Sequence, residues 1–119
     1  MTIATIYELC LEKPGVTEHF PFDEDTLVFK VGGKMFALLS LKRWEEGTGT
    51  INLKCDPDYA EELRALHIEI TPGYHMSKKH WNTVDCKGGL APVLIAALIQ
   101  HSYDLVFKGL PKKVRDTFI

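Results

Sequence analysis

The sequence predicts an α+β fold in which helices pack on one face of an antiparallel β-sheet. Three observations lead there. Two apolar, β-rich runs (residues 27–31 and 34–41) flank Gly32-Gly33, the pattern of a hairpin closed by a tight turn. Apolar residues recur at helical spacing near the N-terminus, after Asp56-Pro57 and again from Pro92 onward. Strands joined by hairpins are antiparallel, and helices interspersed among them must bury their apolar stripes against the sheet. The 119 residues are expected to form a single domain, 1–119, with a core of its own.

Along the chain, Ile3, Ile6, Leu9 and Cys10 form the stripe of a first helix that opens after Thr2 and stops at Lys13-Pro14-Gly15, with Lys13 as a cation in its last turn. The hairpin follows. Residues 43–49 read as a polar loop, and Thr50 to Lys54 alternate as a third strand. Asp56 caps a second helix with Pro57 at its first position. Tyr59, Ala60, Leu63 and Leu66 supply its buried face, while Glu61, Glu62 and Arg64 face water. Residues 68–70 form a brief extended piece before the Pro72-Gly73 turn, and residues 80–86 form a strand ended by Gly88-Gly89. The last helix spans residues 92–107 and buries Leu94, Ile95, Leu98, Ile99, Leu105 and Val106. Gly109 and Pro111 close it ahead of a basic tail of Lys112, Lys113 and Arg115.

Composition excludes several classes. Pro92 interrupts the longest apolar run, residues 91–99, which is too short to span a bilayer. The N-terminus lacks a basic segment and a cleavage site, so a cytoplasmic location without membrane attachment is expected. Cys10, Cys55 and Cys86 are odd in number and widely spaced, which favours buried free thiols over a disulfide framework. The formal net charge of −2 hides an asymmetry: residues 1–71 carry 7 Lys/Arg against 13 Asp/Glu, and residues 72–119 carry 7 against 3. An anionic partner would therefore meet a localised patch rather than bulk charge.

Each candidate chemistry has an ordinary structural explanation beside it. His75 and His80 are five residues apart, which suits neither one helix face nor one strand face as a metal pair, even with His67 or Cys86 added. Ser77 has no nucleophile elbow, and a Cys86–His80 dyad would rest on spacing alone. Gly32-Gly33-Lys34 lacks the remainder of a phosphate loop. Glu18, Asp23, Glu24 and Asp25 read as a solvated acidic loop. The residues imply no cofactor and no metal. The strongest signal is the block Pro72-Gly73-Tyr74-His75-Met76-Ser77-Lys78-Lys79-His80-Trp81-Asn82-Thr83-Val84. Lys78, Lys79 and Lys87 can contact phosphates, Asn82 or Ser77 can hydrogen-bond beside them, and Tyr74, Trp81 or Trp44 can stack on a base.

That block is joined by Pro14-Gly15-Val16-Thr17-Glu18, Phe20-Pro21-Phe22, residues 29–38, Leu53-Lys54, Leu63-Arg64, Leu98-Ile99 and residues 101–106. Together they resemble the MmcQ/YjbR family over nearly the whole chain. The resemblance implies a CyaY-like (frataxin-like) α+β fold, described as a double-wing DNA-binding motif, with no established catalytic residues. Iron binding is not implied, because fold likeness does not carry function and the first helix offers only Glu8 and Glu12. The family block maps a functional surface onto His75, Lys78, Lys79, His80, Trp81 and Asn82, with Tyr74 beside them. The wings correspond to the Gly32-Gly33 hairpin and the loop near Gly47. The resulting expectation is a non-enzymatic, monomeric, cytoplasmic DNA-binding protein. The alternative is a module for a small anionic molecule or a protein, with a groove lined by Trp81, Tyr74 and His80.

Overall fold

The computed structural model describes residues 1–118. In chain order the elements are α1 (Ile3–Leu11), β1 (Val16–His19), β2 (Thr26–Val31), β3 (Lys34–Ser40), α2 (Leu41–Glu45), β4 (Thr50–Lys54), α3 (Pro57–Leu66), β5 (Ile70–Pro72), β6 (Trp81–Asp85), α4 (Pro92–Lys108) and α5 (Lys112–Arg115), followed by a 3-10 turn, Asp116–Phe118. All strand pairs are antiparallel, and the spatial order is β1-β2-β3-β4-β6-β5. The α+β fold read from the sequence is the one observed.

Period-2 alternation assigns each strand residue to a face. Leu27, Phe29 and Val31 of β2, Ala37 and Leu39 of β3, Ile51 and Leu53 of β4, Val84 of β6 and Ile70 of β5 enter one apolar core with Ile6 and Cys10 of α1, Ala60 and Leu63 of α3, and Ile95, Leu98, Ile99, Tyr103 and Val106 of α4. The helices therefore cover this face. On the other, Val28, Leu38 and Trp81 form a small apolar cluster flanked by Met35 and Met76.

A bulge marks the join between sheet and α4. The β2–β3 register shifts between Phe29 and Lys30, so Phe36 has no partner of its own and turns inward beside Ala37. Its freed carbonyl accepts a 2.5 Å hydrogen bond from Ser102 Oγ, which in turn accepts the Lys54 N–H at 2.9 Å. A fully buried serine thus satisfies two backbone groups that the sheet leaves over.

Several local expectations are corrected. Residues 41–45 are helical because Ser40 Oγ accepts the Arg43 N–H at 3.2 Å as an N-cap, and Trp44 is buried with its indole N–H donating to Thr50 O at 3.0 Å. Trp44 is therefore no stacking surface. Residues 16–19, of which Glu18 is expected in a solvated acidic loop, pair as an edge strand with β2. Leu66 is 68% exposed, beyond the reach of the sheet, while Tyr103 takes the place in the core expected of Leu105 and donates its hydroxyl to Pro14 O at 2.6 Å. Lys13 lies past the α1 C-cap, Glu12, rather than in its last turn. The basic tail is ordered into α5. No helix of the described residues is long and apolar enough to cross a membrane.

Candidate functional site

The face without helices presents Thr26, Val28 and Lys30 of β2, then Met35, Leu38 and Ser40 of β3, Thr50, Asn52 and Lys54 of β4, and Trp81, Thr83 and Asp85 of β6, in cross-strand register. Two loops rise from it and enclose a cleft of about 430 Å³. Both loops belong to the sequence blocks singled out above.

One wall is the loop between β1 and β2, carrying Phe22, which is 64% exposed. Asp23 shapes it: its Oδ1 accepts the Asp25 and Thr26 N–H groups at 2.9 and 2.6 Å. The Thr26 and Asp25 amides hold the Asp23 carboxyl below the usual carboxylate range. Asp25 ties the wall to the start of α2 by accepting from Ser40 Oγ and from the Lys42 N–H, both at 2.6 Å. The expected solvated acidic loop is thus a set of local caps, and among the described residues no three His, Cys, Asp or Glu side chains gather as a metal site.

The other wall is the loop 73–80, which folds down over the sheet. Gly73 permits the approach, since a β-carbon there would sit 2.7 Å from Trp81 Cβ, and its N–H donates to Trp81 O at 2.9 Å. Tyr74 is held by a ring of polar bonds. Its N–H donates to Thr83 Oγ1 at 2.9 Å, Thr83 Oγ1 donates to Asn52 Oδ1 at 2.6 Å, and Asn52 Nδ2 donates to Tyr74 O at 3.1 Å. His75 follows with φ at +59°, a left-handed conformation uncommon for a side-chain-bearing residue. Its ring lies 4.0 Å from that of Tyr74, and the Arg43 guanidinium sits 4.9 Å over the Tyr74 ring from the α2 side. Met76 seals the base of the loop against Val28, Leu38 and Trp81.

A clasp behind the sheet fastens this loop. Arg64 of α3 donates from Nε to Asn82 Oδ1 at 2.7 Å, and from Nη2 to Trp81 O at 3.2 Å and to Lys78 O. Arg64 does not face water, contrary to the helical-stripe reading.

The seven residues proposed from the sequence therefore divide. Tyr74 and His75 line the cleft. Lys79 is exposed on the loop, and Lys78 is exposed but turns its ammonium back onto Gly73 O. His80 is exposed away from the cleft lining, its carbonyl accepting from Cys55 N–H at 2.8 Å. Trp81, 8% exposed, lies in the floor beneath Met76, so it walls no groove. Asn82 points to the helix side, 2% exposed, where Arg64 and Ala60 O engage it, and it is not offered to a partner. Phe22, Arg43, Asn52 and Thr83 are the site residues that sequence reasoning missed. For Asn52 and Thr83 a signal existed, because both occupy outward positions of alternating strands.

The Cys86–His80 dyad is not assembled in reactive form. Desolvation pushes the Cys86 thiol up to about 12, with Asp85 adding to it, and burial likewise raises Cys10 to about 12 and Cys55 to about 11. A thiol held protonated is the reverse of an activated nucleophile.

The chain is similar to known proteins over most of its length. The family model described as YjbR matches residues 11–105, which include both cleft walls. The chain is 41% identical to the protein YbdF of Escherichia coli O157:H7 over 92% of this chain and 87% of the relative. It is 31% identical to YjbR of Escherichia coli K12 over 100% of this chain and 98% of that one. The crystal structure of Deinococcus radiodurans protein DR2400 superposes with a TM-score of 0.90 at 41% identity, covering 98% of this chain and 87% of that one.

Proposed function

The chain belongs to the YjbR family, and we propose that it acts as a non-enzymatic, cytoplasmic DNA-binding protein whose contact surface is the helix-free face of the sheet. The observation that carries this reading is the convergence of both signature loops on one cleft with Arg43 and His75 in its rim, beside one lining carboxylate, Asp25. Arg43 projects over Tyr74, and Lys79 is exposed on the adjoining loop, while the Lys78 ammonium turns onto Gly73 O. Lys30 and Lys54 lie half-buried on the same face. With a net charge of −2, attraction to a phosphate backbone is local to such a rim. In this reading the wings are the Gly32-Gly33 hairpin, where β3 begins, and the Gly47 loop, which follows α2 at its far end.

Fluorescence anisotropy on labelled DNA tests this directly. Neutralising about four phosphates gives a slope near −3.6 in log K against log salt, or about 100-fold weaker binding between about 50 and 200 mM salt. Arg43→Gln with Lys79→Gln should weaken binding and flatten that slope while the thermal midpoint stays unchanged. A flat salt slope in the wild type, or no loss in the double variant, overturns the proposal.

A second reading, a site for a small anionic molecule, is favoured by the concavity of the cleft. Its volume of about 430 Å³ lies within the usual range of small-ligand pockets. In that case the walls are Tyr74, His75 and Phe22 rather than Trp81, Tyr74 and His80. Saturable binding of a small anion with no measurable affinity for DNA would select it.

A further inference from the structure

We infer that the cleft takes one unpaired nucleobase between Phe22 and Tyr74 with its phosphate at Arg43, so that the DNA this face holds is single-stranded or locally opened. The inference rests on the DNA-binding reading and specifies how the same site uses it.

Three features point to it. Phe22 and Tyr74 are 64% and 53% exposed, one on each wall of the cleft, over an apolar floor of Leu38 and Met76. Tyr74 keeps this exposure although His75 and Arg43 lie against its ring, and with Phe22 above an apolar floor it forms a stacking platform. Bases inside a duplex already stack on one another and show only their edges in the grooves, so a ring on a cleft wall can reach a base face only when that base has left the stack.

The cation is also in place. The Arg43 guanidinium is over the Tyr74 ring at 4.9 Å, and among the described residues it takes no hydrogen bond or ion pair. Its fork of donors is thus available to a phosphate beside a base stacked on the same ring. The site is held open by groups other than those that would bind. The ring of hydrogen bonds through Thr83 and Asn52 and the caps from Asp23 and Asp25 hold both loops before any ligand arrives, so little ordering cost falls on binding.

Those same commitments limit base reading. The Asn52 amide and the Thr83 hydroxyl, which could read a base edge, are held in place supporting Tyr74, which leaves Asn52 one N–H and one lone pair free. Stacking without edge contacts accepts any base, so binding should be tolerant of sequence.

The experiment compares, by anisotropy at low salt, four probes: a labelled single strand of about ten nucleotides, the duplex of that sequence, an abasic strand of equal length, and a competing mononucleotide. The single strand should bind about 10-fold more tightly than the duplex or the abasic strand. Tyr74→Leu and Phe22→Leu, which keep apolar bulk and remove the ring, should each lose about 10-fold on the single strand and nothing on the abasic one. Exchanging the base composition should change affinity by less than about threefold. Equal, salt-dependent binding of duplex, abasic and normal strands overturns the stacked base and leaves DNA binding through phosphates standing. Binding of no DNA probe overturns both. A mononucleotide that binds as tightly as the strand overturns the strand as the source of the base.

Discussion

Arg64→Ala is the substitution that most directly tests how the signature loop is held. The wild-type guanidinium joins α3 to three acceptors at once: Asn82 Oδ1 at 2.7 Å, Trp81 O at 3.2 Å and Lys78 O. Asn82 is 2% exposed, and its remaining bond, to Ala60 O, is long at 3.5 Å. Removing Arg64 strands Asn82 Oδ1 without water, a loss of about 1–3 kcal/mol for a buried acceptor. The Lys78 and Trp81 carbonyls lie nearer the surface and regain some solvation, adding about 1 kcal/mol between them. The expected destabilisation is about 2–4 kcal/mol, a large share of the roughly 5–15 kcal/mol typical of a folded domain. Urea denaturation followed by the fluorescence of Trp44 and Trp81 measures it. Arg64→Lys keeps the charge but not the fork, and should recover less than half of the loss. A double-mutant cycle with Asn82→Ala should show coupling of about 1–2 kcal/mol. Amide exchange should quicken across residues 74–81 and stay unchanged in α4, because the clasp holds the loop and not the core. An Arg64→Ala variant within about 0.5 kcal/mol of wild type, or an additive cycle, would refute the clasp.

Other consequences concern the scaffold. Ser102→Ala removes the donor to Phe36 O and the acceptor of Lys54 N–H together, and should cost about 2–4 kcal/mol in denaturant midpoint measurements. In the hairpin, Gly32 and Gly33 both have positive φ, +57° and +79°. A β-carbon at Gly32 would sit 2.7 Å from Leu110 Cδ1, whereas at Gly33 it meets open space. Gly33→Ala should therefore cost about 1 kcal/mol from backbone strain alone, and Gly32→Ala about 1–3 kcal/mol more from the clash. Burial raises Cys10 and Cys86 to about 12 and Cys55 to about 11 from an ordinary value of 9.0. As pH rises above about 9 the unfolded chain releases these protons first, so thiol-linked stability is full below that pH and falls until the folded thiols ionise. Urea midpoints should decline between about pH 9 and 11, and Cys86→Ala should show a shallower decline than wild type.

Much of the fold was legible because its signals were local. The Gly32-Gly33 turn, the Asp56-Pro57 helix start and the alternation at Thr50 to Lys54 each state their structure within a few residues. The misreadings that bear on the site were decided largely by distant partners. Trp44 looked like part of a polar loop because its neighbours are charged, yet its helix is capped by Ser40 and anchored to Asp25 across the sheet. Arg64 looked solvent-facing from its helical position, and only the return of the chain at residues 78–82 gives it three acceptors. The block at 72–84 was visible as a unit, but its composition did not reveal that strand alternation sends Asn82 to the helix side and Trp81 to the floor. Likewise, Arg43 lies in no motif and Phe22 lies in a short one that does not state its role, and they join Tyr74 only because a sheet brings three separate connections to one end of a cleft.

The central claim, that ligand meets this chain on the helix-free face, is tested most directly by an amide NMR titration with a single-stranded oligonucleotide at low salt. Shift changes should concentrate at Phe22, Arg43, Asn52, Tyr74, His75, Met76 and Thr83, which border the cleft. Residues of α1 and α4, behind the sheet, should remain still. Changes centred on α1, α4 or the Lys112–Arg115 helix, with the cleft residues unmoved, would contradict the account.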